Sequence, residues 1–137
     1  MVDFRVARFE RKGGRQVFVG FPSGGYFLGQ NGMLYRGDII SNTTDRRKKD
    51  FHIVDFFSGR CDENKQKIYA HDVVYSSTLK TSGIVLFRPE KGAFIFCVQH
   101  GKITIPYSFL DMYEVSLKKK YSIFEKNVLT SNPNRLL

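Results

Sequence analysis

Imidazoles, thiols and paired carboxylates are the side chains with which a small protein most often does chemistry, and this sequence is sparing with all of them. His52, His71, His100, Cys61 and Cys97 are its whole stock of imidazole and thiol. They form no C-x-x-C or H-x-x-x-H pair of the kind that anchors a zinc ion. Cys61 lies in the polar stretch Gly59-Arg-Cys-Asp-Glu, where Arg60 favours a thiolate. No base or oxyanion-hole motif accompanies it, so it reads as a spare exposed thiol. Cys97, between Phe96 and Val98, reads as a core filler. Asp62-Glu63 and the more separated Asp111 and Glu114 are the paired carboxylates. Neither pair lies in the apolar setting that would split its pKa values for acid–base work. Gly20, Gly24 and Gly25, and again Gly25 and Gly29, lack the Gly-Lys-Ser/Thr of a phosphate-binding loop. The expectation is therefore no catalytic residue, no metal site and no cofactor: a protein that is not an enzyme.

What the chain holds in excess is positive charge, 22 Lys+Arg against 13 Asp+Glu, a formal +9 on 137 residues. The excess is spread along the chain with no detachable basic tail. Arg46, Arg47, Lys48 and Lys49 form one compact cluster, Lys118, Lys119 and Lys120 another, and Arg5, Arg8, Arg11, Lys12 and Arg15 crowd the first hairpin. Phe4, Phe9, Phe51, Tyr113 and Tyr121 are close by in sequence. Lysines around an aromatic-bearing sheet face neutralise phosphates while bases stack on the rings. Arg11, Lys12, Arg15, Arg46 to Lys49 and Lys118 to Lys120 are therefore the candidate binding residues. A plainer reading stands beside this one: the aromatics fill the core, and a solvated Lys/Arg loop keeps the protein in solution.

The elements that must position these residues read as strands. At 15% aromatic, with 13 Phe and 7 Tyr, the composition favours the pleated, half-buried surface of a sheet. Val2 to Phe9 and Arg15 to Phe21 form a hairpin around Glu10-Arg-Lys-Gly-Gly. Tyr26 to Leu28 and Met33 to Ile40 flank the turn dipeptide Asn31-Gly32. Ser41 to Asp50 and Ser58 to Lys67 read as polar loops on either side of a strand, Phe51 to Phe57. Ile68-Tyr69 and Val73 to Tyr75 follow. Gly83 to Phe87 and Ala93 to Val98 make the clearest hairpin, and Ala93 to Val98, apolar on both faces, should lie centrally in its sheet. Pro106 to Met112 is the best place for a short helical turn. Tyr113 to Leu117 and Tyr121 to Phe124 complete the strands, with Lys118 to Lys120 between them.

Strands of this length at this spacing imply a mainly β protein, a small antiparallel barrel or sandwich. The length suits a single domain, with an N-terminal hairpin region over residues 1–45 and a barrel region over 51–137. The longest apolar run, Ala93 to Val98, is far short of the ~20 residues that span a bilayer, and the N-terminus has no apolar leader core. The expectation is a soluble cytoplasmic protein with no membrane contact.

The stretch beginning at Phe56, FFSGRCDENKQKIYAHDVV, resembles the signature of the YopX-like family of phage and prophage proteins, approximately F-T-G-L-x-D-x-N-G-x-x-I-Y-E-G-D-I-V. Phe57, Ser58, Gly59, Asp62, Asn64, Ile68, Tyr69, Asp72, Val73 and Val74 fall on identical or similar positions without a gap. Gly83-Ile-Val-Leu-Phe, Gly92-Ala-Phe, Tyr121-Ser-Ile-Phe-Glu and Asn132-Pro-Asn-Arg-Leu-Leu also resemble the family, as does Phe4-Arg5-Val6. The likeness is good over residues 51–137 and loose before them. Four positions depart: Lys65 and His71 stand where the family has glycine, Ala70 where it has glutamate, and Arg60 where it has leucine. Without these glycines the turn is expected either to change or to be carried by Asn64 in the left-handed conformation. The resemblance implies an SH3-like small barrel, a phage or prophage origin in a bacterial host cell, and no known enzymatic activity. Gly59, Asp62, Asn64, Ile68, Tyr69 and Asp72 would then have structural work. Asp62 and Asn64 bond their own turn, Ile68 and Tyr69 enter the core, and Asp72 accepts N–H bonds at the mouth of the next strand.

Two readings of function follow. The first is a non-enzymatic β-barrel protein that binds a macromolecule, nucleic acid foremost. The second is a protein-interaction module docking on an acidic host or phage protein, or a homo-oligomeric structural component.

Overall fold

Apolar residues alternating with polar ones produce strands almost throughout the computed structural model, which describes residues 3–22, 25–29, 34–36, 39–41, 50–109 and 116–126. The fold is mainly β, with a β-hairpin at the N-terminus and a curled antiparallel half-barrel sheet. The chain divides into two compact units, Phe4–Asp55 and Met1–Asp3 with Phe56–Leu137. Among the described residues no helix is long and apolar enough to cross a membrane.

The first unit opens with a hairpin of β1 (Phe4–Lys12) and β2 (Arg15–Gly20). Its turn is tighter than the polar stretch predicts. Lys12 pairs with Arg15, and only Gly13 and Gly14, at φ 57° and 76°, make the reversal. Two left-handed residues match the twist of the flanking strands, which lets β1 continue through Glu10, Arg11 and Lys12. Within this unit β1 lies between β2 and the first half of β6 (Asp50–Cys61). Phe9 and Phe51 are fully buried and stack at 5.1 Å and 5°, with Phe18 tilted against Phe9 at 5.6 Å. Arg5 reaches the buried Asp55 at 3.1 Å, its guanidinium 4.3 Å from the Phe21 ring centre. Three short strands, β3 (Tyr26–Leu28), β4 (Leu34–Arg36) and β5 (Ile39–Ser41), form a separate sheet. The expected Asn31-Gly32 turn lies outside the described residues, as do residues 42–49.

The second unit contains β7 (Lys67–Tyr69), β8 (Asp72–Ser76), β9 (Thr81–Arg88), β10 (Ala93–His100), β11 (Ile103–Ser108) and β12 (Leu117–Ser122). All but β7 form a five-stranded antiparallel sheet of order β11-β10-β9-β8-β12. β10 is flanked on both sides, as its apolar run predicts. Ile68, Val74, Val85, Phe96, Val98, Phe109 and Leu117 make one core cluster on one face of that sheet. Each large side chain so buried contributes roughly 1.5–3 kcal/mol. The opposite face also buries Val73, Ile84, Leu86, Ile95 and Cys97, as a curled sheet must.

Four expectations need correction here. β6 runs on through Ser58 to Cys61, because β7 pairs with it at Phe57↔Tyr69 and Cys61↔Lys67 around a bulge with Gly59 at φ 85°. Pro106 is in β11 opposite Cys97, so the expected helical turn does not start there, and residues 110–112 of it lie outside the described residues. β11 is an edge strand, where only alternate N–H groups bond a neighbour and a proline is tolerated. Lys118, Lys119 and Lys120 are inside β12, not between strands. Ser122 ends that strand, and Ile123–Lys126 form a 3₁₀ turn. Charge misled the reading because an end strand keeps its ladder while its lysines reach solvent.

Gly83 fits the sheet to its core. A Cβ there would lie 2.6 Å from the Cys97 carbonyl oxygen and 2.6 Å from Cζ of the Phe96 ring, which lies across the glycine. Gly83→Ala is expected to cost about 1–3 kcal/mol by overpacking, read as a lowered midpoint of denaturant unfolding with unchanged slope.

Candidate functional site

Two groups of residues stand out in the second unit, a carboxylate-centred joint and an open lysine-framed groove. The joint is built from the family-like motif. Asp62 Oδ1 accepts the backbone N–H groups of Asn64 (2.9 Å) and Gln66 (2.8 Å). Its Oδ2 accepts the N–H of Lys119 (3.0 Å) in β12. The Glu63 N–H donates to the Leu117 carbonyl at 2.9 Å, and the Ser116 hydroxyl to the Glu63 carboxylate at 2.9 Å. The β6–β7 turn thus closes the outer edge of β12, the edge that would otherwise be open to a stray strand. Burial pushes the Asp62 carboxyl up. The N–H bonds from Lys119, Gln66 and Asn64 and the Lys119 charge outweigh that and leave it below the ordinary carboxylate value.

The other motif residues are in β6, β7 and β8. Asp72, fully buried, accepts the Tyr69 N–H at 2.8 Å, and Ile68 is fully buried, while Tyr69 is half-buried. The turn differs in one respect. The left-handed residue is Lys65 at φ 63°, not Asn64, because Asn64 already lends its N–H to Asp62 and the reversal falls one residue later. His71, at φ 69°, is left-handed too. Gly59 supplies the β6 bulge.

Lys119 belongs to this joint. Its Nζ is 3.3 Å from Asp72 Oδ2 and donates to the Lys67 carbonyl at 3.1 Å, with the Tyr69 ring centre 5.7 Å away. Lys118 and Lys120 are exposed. The pleat divides the lysine run: one side chain serves the fold and two reach solvent.

The groove lies on the sheet face opposite the core cluster. Val73, Thr81, Ser82, Gln99, Gly101 and Tyr121 line it, with a volume of about 590 Å³. Register explains the gathering. Lys118 opposes Tyr75, Tyr75 opposes Ser82, and Gln99 opposes Thr104, while Tyr121, Val73, Ile84 and Cys97 form the next cross-strand row. Lys120 Nζ is 5.8 Å from the Tyr75 ring centre, and Lys126 Nζ is 4.9 Å from that of Tyr121. Lys80, in the β8–β9 turn, precedes the lining residue Thr81. Lys102, in the β10–β11 turn, follows the lining residue Gly101. Antiparallel order puts both turns and the start of β12 at one end of the sheet. Lys80, Lys102, Lys118, Lys120 and Lys126 are all exposed, and none is in an ion pair among the described residues.

Of the residues singled out by sequence, Lys118 and Lys120 are at this groove and Lys119 turns away from it. Arg11, Lys12 and Arg15 are exposed at the tip of the first hairpin, where Lys12 is 3.6 Å from Glu10 and Arg8 is 2.8 Å from the same carboxylate. Arg46, Arg47, Lys48 and Lys49 lie outside the described residues, as does Tyr113. Sequence reasoning missed Lys80, Lys102, Lys126 and Tyr75, isolated residues that only the strand register assembles. Cys61 is exposed at the end of β6, and Cys97 is buried, its thiol pushed up by burial. Among the described residues no group of three or more His, Cys, Asp or Glu is placed to hold a metal ion. Comparison with known proteins adds no relative: no family model matches the chain, no curated protein matches it, and no solved structure matches it.

Two predictions test the joint and the thiols. Asp62→Asn keeps one acceptor but turns an amide N–H₂ toward the Lys119 N–H, and is expected to cost about 1–3 kcal/mol of unfolding free energy. The folded carboxyl is the stronger acid, so its contribution is complete above the unfolded-chain value of about 4. It fades as the pH falls through the lower folded value, so stability should drop more steeply below about pH 4 in the wild type than in Asp62→Asn. A thiol reagent at about pH 8 should label Cys61 in the native protein and Cys97 only after denaturation, counted by mass.

Proposed function

We propose that this chain is a non-enzymatic β-module of phage or prophage origin, working in the cytoplasm of a bacterial host, and that it binds nucleic acid on the lysine-framed groove. The observation that carries this reading is the exposure of Lys118 and Lys120 in β12 beside Tyr75 and of Lys126 beside the lining residue Tyr121, with Lys80 and Lys102 in the turns next to the lining residues Thr81 and Gly101 and none of the five in an ion pair among the described residues. Cations left without carboxylate partners are the ordinary footprint of a polyanion site. The overall excess of +9 favours the encounter. The phage or prophage origin rests on the YopX-like resemblance. Lys65 and His71, which stand at the family's two glycine positions, are both left-handed, the conformation in which glycine is most at ease.

The test is fluorescence anisotropy with a labelled oligonucleotide of mixed sequence. Binding is expected at about 50 mM salt and should weaken linearly on a log–log plot as salt rises. Lys118→Ala and Lys120→Ala should each reduce the slope by about one, and Lys119→Ala should instead lower stability. No binding at about 50 mM salt overturns the reading.

A second reading rests on Ile103, 68% exposed at the start of the edge strand β11. An apolar residue on a free edge suits a protein partner or a second copy that adds a strand. Light scattering that gives one monomer mass over a wide concentration range removes the second copy. An Ile103→Lys variant that keeps every protein contact removes the edge as the docking site.

A further inference from the structure

Resting on the nucleic-acid reading, we infer that the groove takes a single strand, with unpaired bases against Tyr75 and Tyr121 and phosphates along the lysines. The surface that the groove offers is mostly polar, since Val73 is only 2% exposed and Ile84, beside it in register, is fully buried. Its walls carry hydroxyl and amide groups from Thr81, Ser82 and Gln99.

The two tyrosines complete the site. Both are half-buried, so their rings are held by the sheet while part of each stays accessible. Each has a lysine ammonium near its ring, at 5.8 Å for Tyr75 and 4.9 Å for Tyr121. A phosphate beside a stacked base would meet that ammonium, which joins the aromatic and ionic contacts in one place. Paired bases within a duplex present only their edges, so a stacking platform set in a groove gains nothing from them. Adjacent strands are about 4.8 Å apart, so the row from β12 to β10 extends over roughly 14 Å. A sheet surface of that width accepts about two or three splayed bases.

The experiment compares a labelled 12-nucleotide single strand with the duplex of the same sequence, at one salt concentration, against wild type, Tyr75→Leu, Tyr121→Leu and Tyr121→Phe. Leucine keeps the bulk of the side chain and removes the ring, and thermal melts identify any variant that fails to fold. The single strand should bind at least about 10-fold tighter than the duplex. Each leucine variant should lose about 10-fold on the single strand at unchanged salt slope, with Tyr121→Phe close to wild type. If the duplex binds as well, or if both leucine variants bind the single strand as wild type does, the single-strand site is overturned and the nucleic-acid reading stands. If neither oligonucleotide binds, the nucleic-acid reading itself has failed.

Discussion

A single carboxylate joins the two ends of the larger unit. Asp62 comes early, between β6 and β7, and Lys119 comes late, in the last strand. The carboxylate holds its own turn with one oxygen and the backbone of β12 with the other. Fifty-seven residues separate the partners, so this contact closes a long loop and must be strong enough to offset the entropy of doing so. A charged acceptor with three N–H donors meets that demand better than a neutral side chain would. Asp72 and Lys119 repeat the arrangement a few ångströms away with a buried ion pair. The end strand of the sheet is therefore pinned twice, and the surface it presents is set by that pinning.

The groove follows from the same constraint. Lys118 and Lys120 reach solvent because Lys119 is held inward, and Tyr121 meets Val73 because the β12–β8 ladder has an irregularity between Lys119 and Tyr121. Had the register of β12 shifted by one residue, the pleat would have turned Lys119 outward and buried its neighbours. The anchoring lysine and the two exposed lysines are thus adjacent in one tripeptide.

How much of this the sequence discloses depends on whether the deciding contacts are local. The turn chemistry of Asp62 is local and legible, and so is the central position of Ala93–Val98, whose two apolar faces require neighbours on both sides. The extent of β12 is not legible, because three lysines in a row argue for a loop until an edge position makes them acceptable. Pro106 misleads for a related reason: its missing N–H matters only on a strand flanked on both sides. The groove is the least legible part. Val73, Ser82, Gln99 and Tyr121 come from four strands, and none is unusual in its own segment. Gly83 is equally silent, since its role appears only once Phe96 lies across it.

The central claim is that the groove over β8, β9, β10 and β12, with the lysines beside it, binds nucleic acid. Its most direct measurement is a two-dimensional amide NMR titration of the ¹⁵N-labelled chain with an unlabelled single-stranded oligonucleotide. The account predicts that shifting resonances map to Val73, Tyr75, Thr81, Ser82, Gln99, Gly101 and the segment from Lys118 to Tyr121, with Ile68, Val85 and Phe96 unmoved. Shifts confined to the hairpin tip at Arg11, Lys12 and Arg15, or no shifts at saturating oligonucleotide, would contradict it.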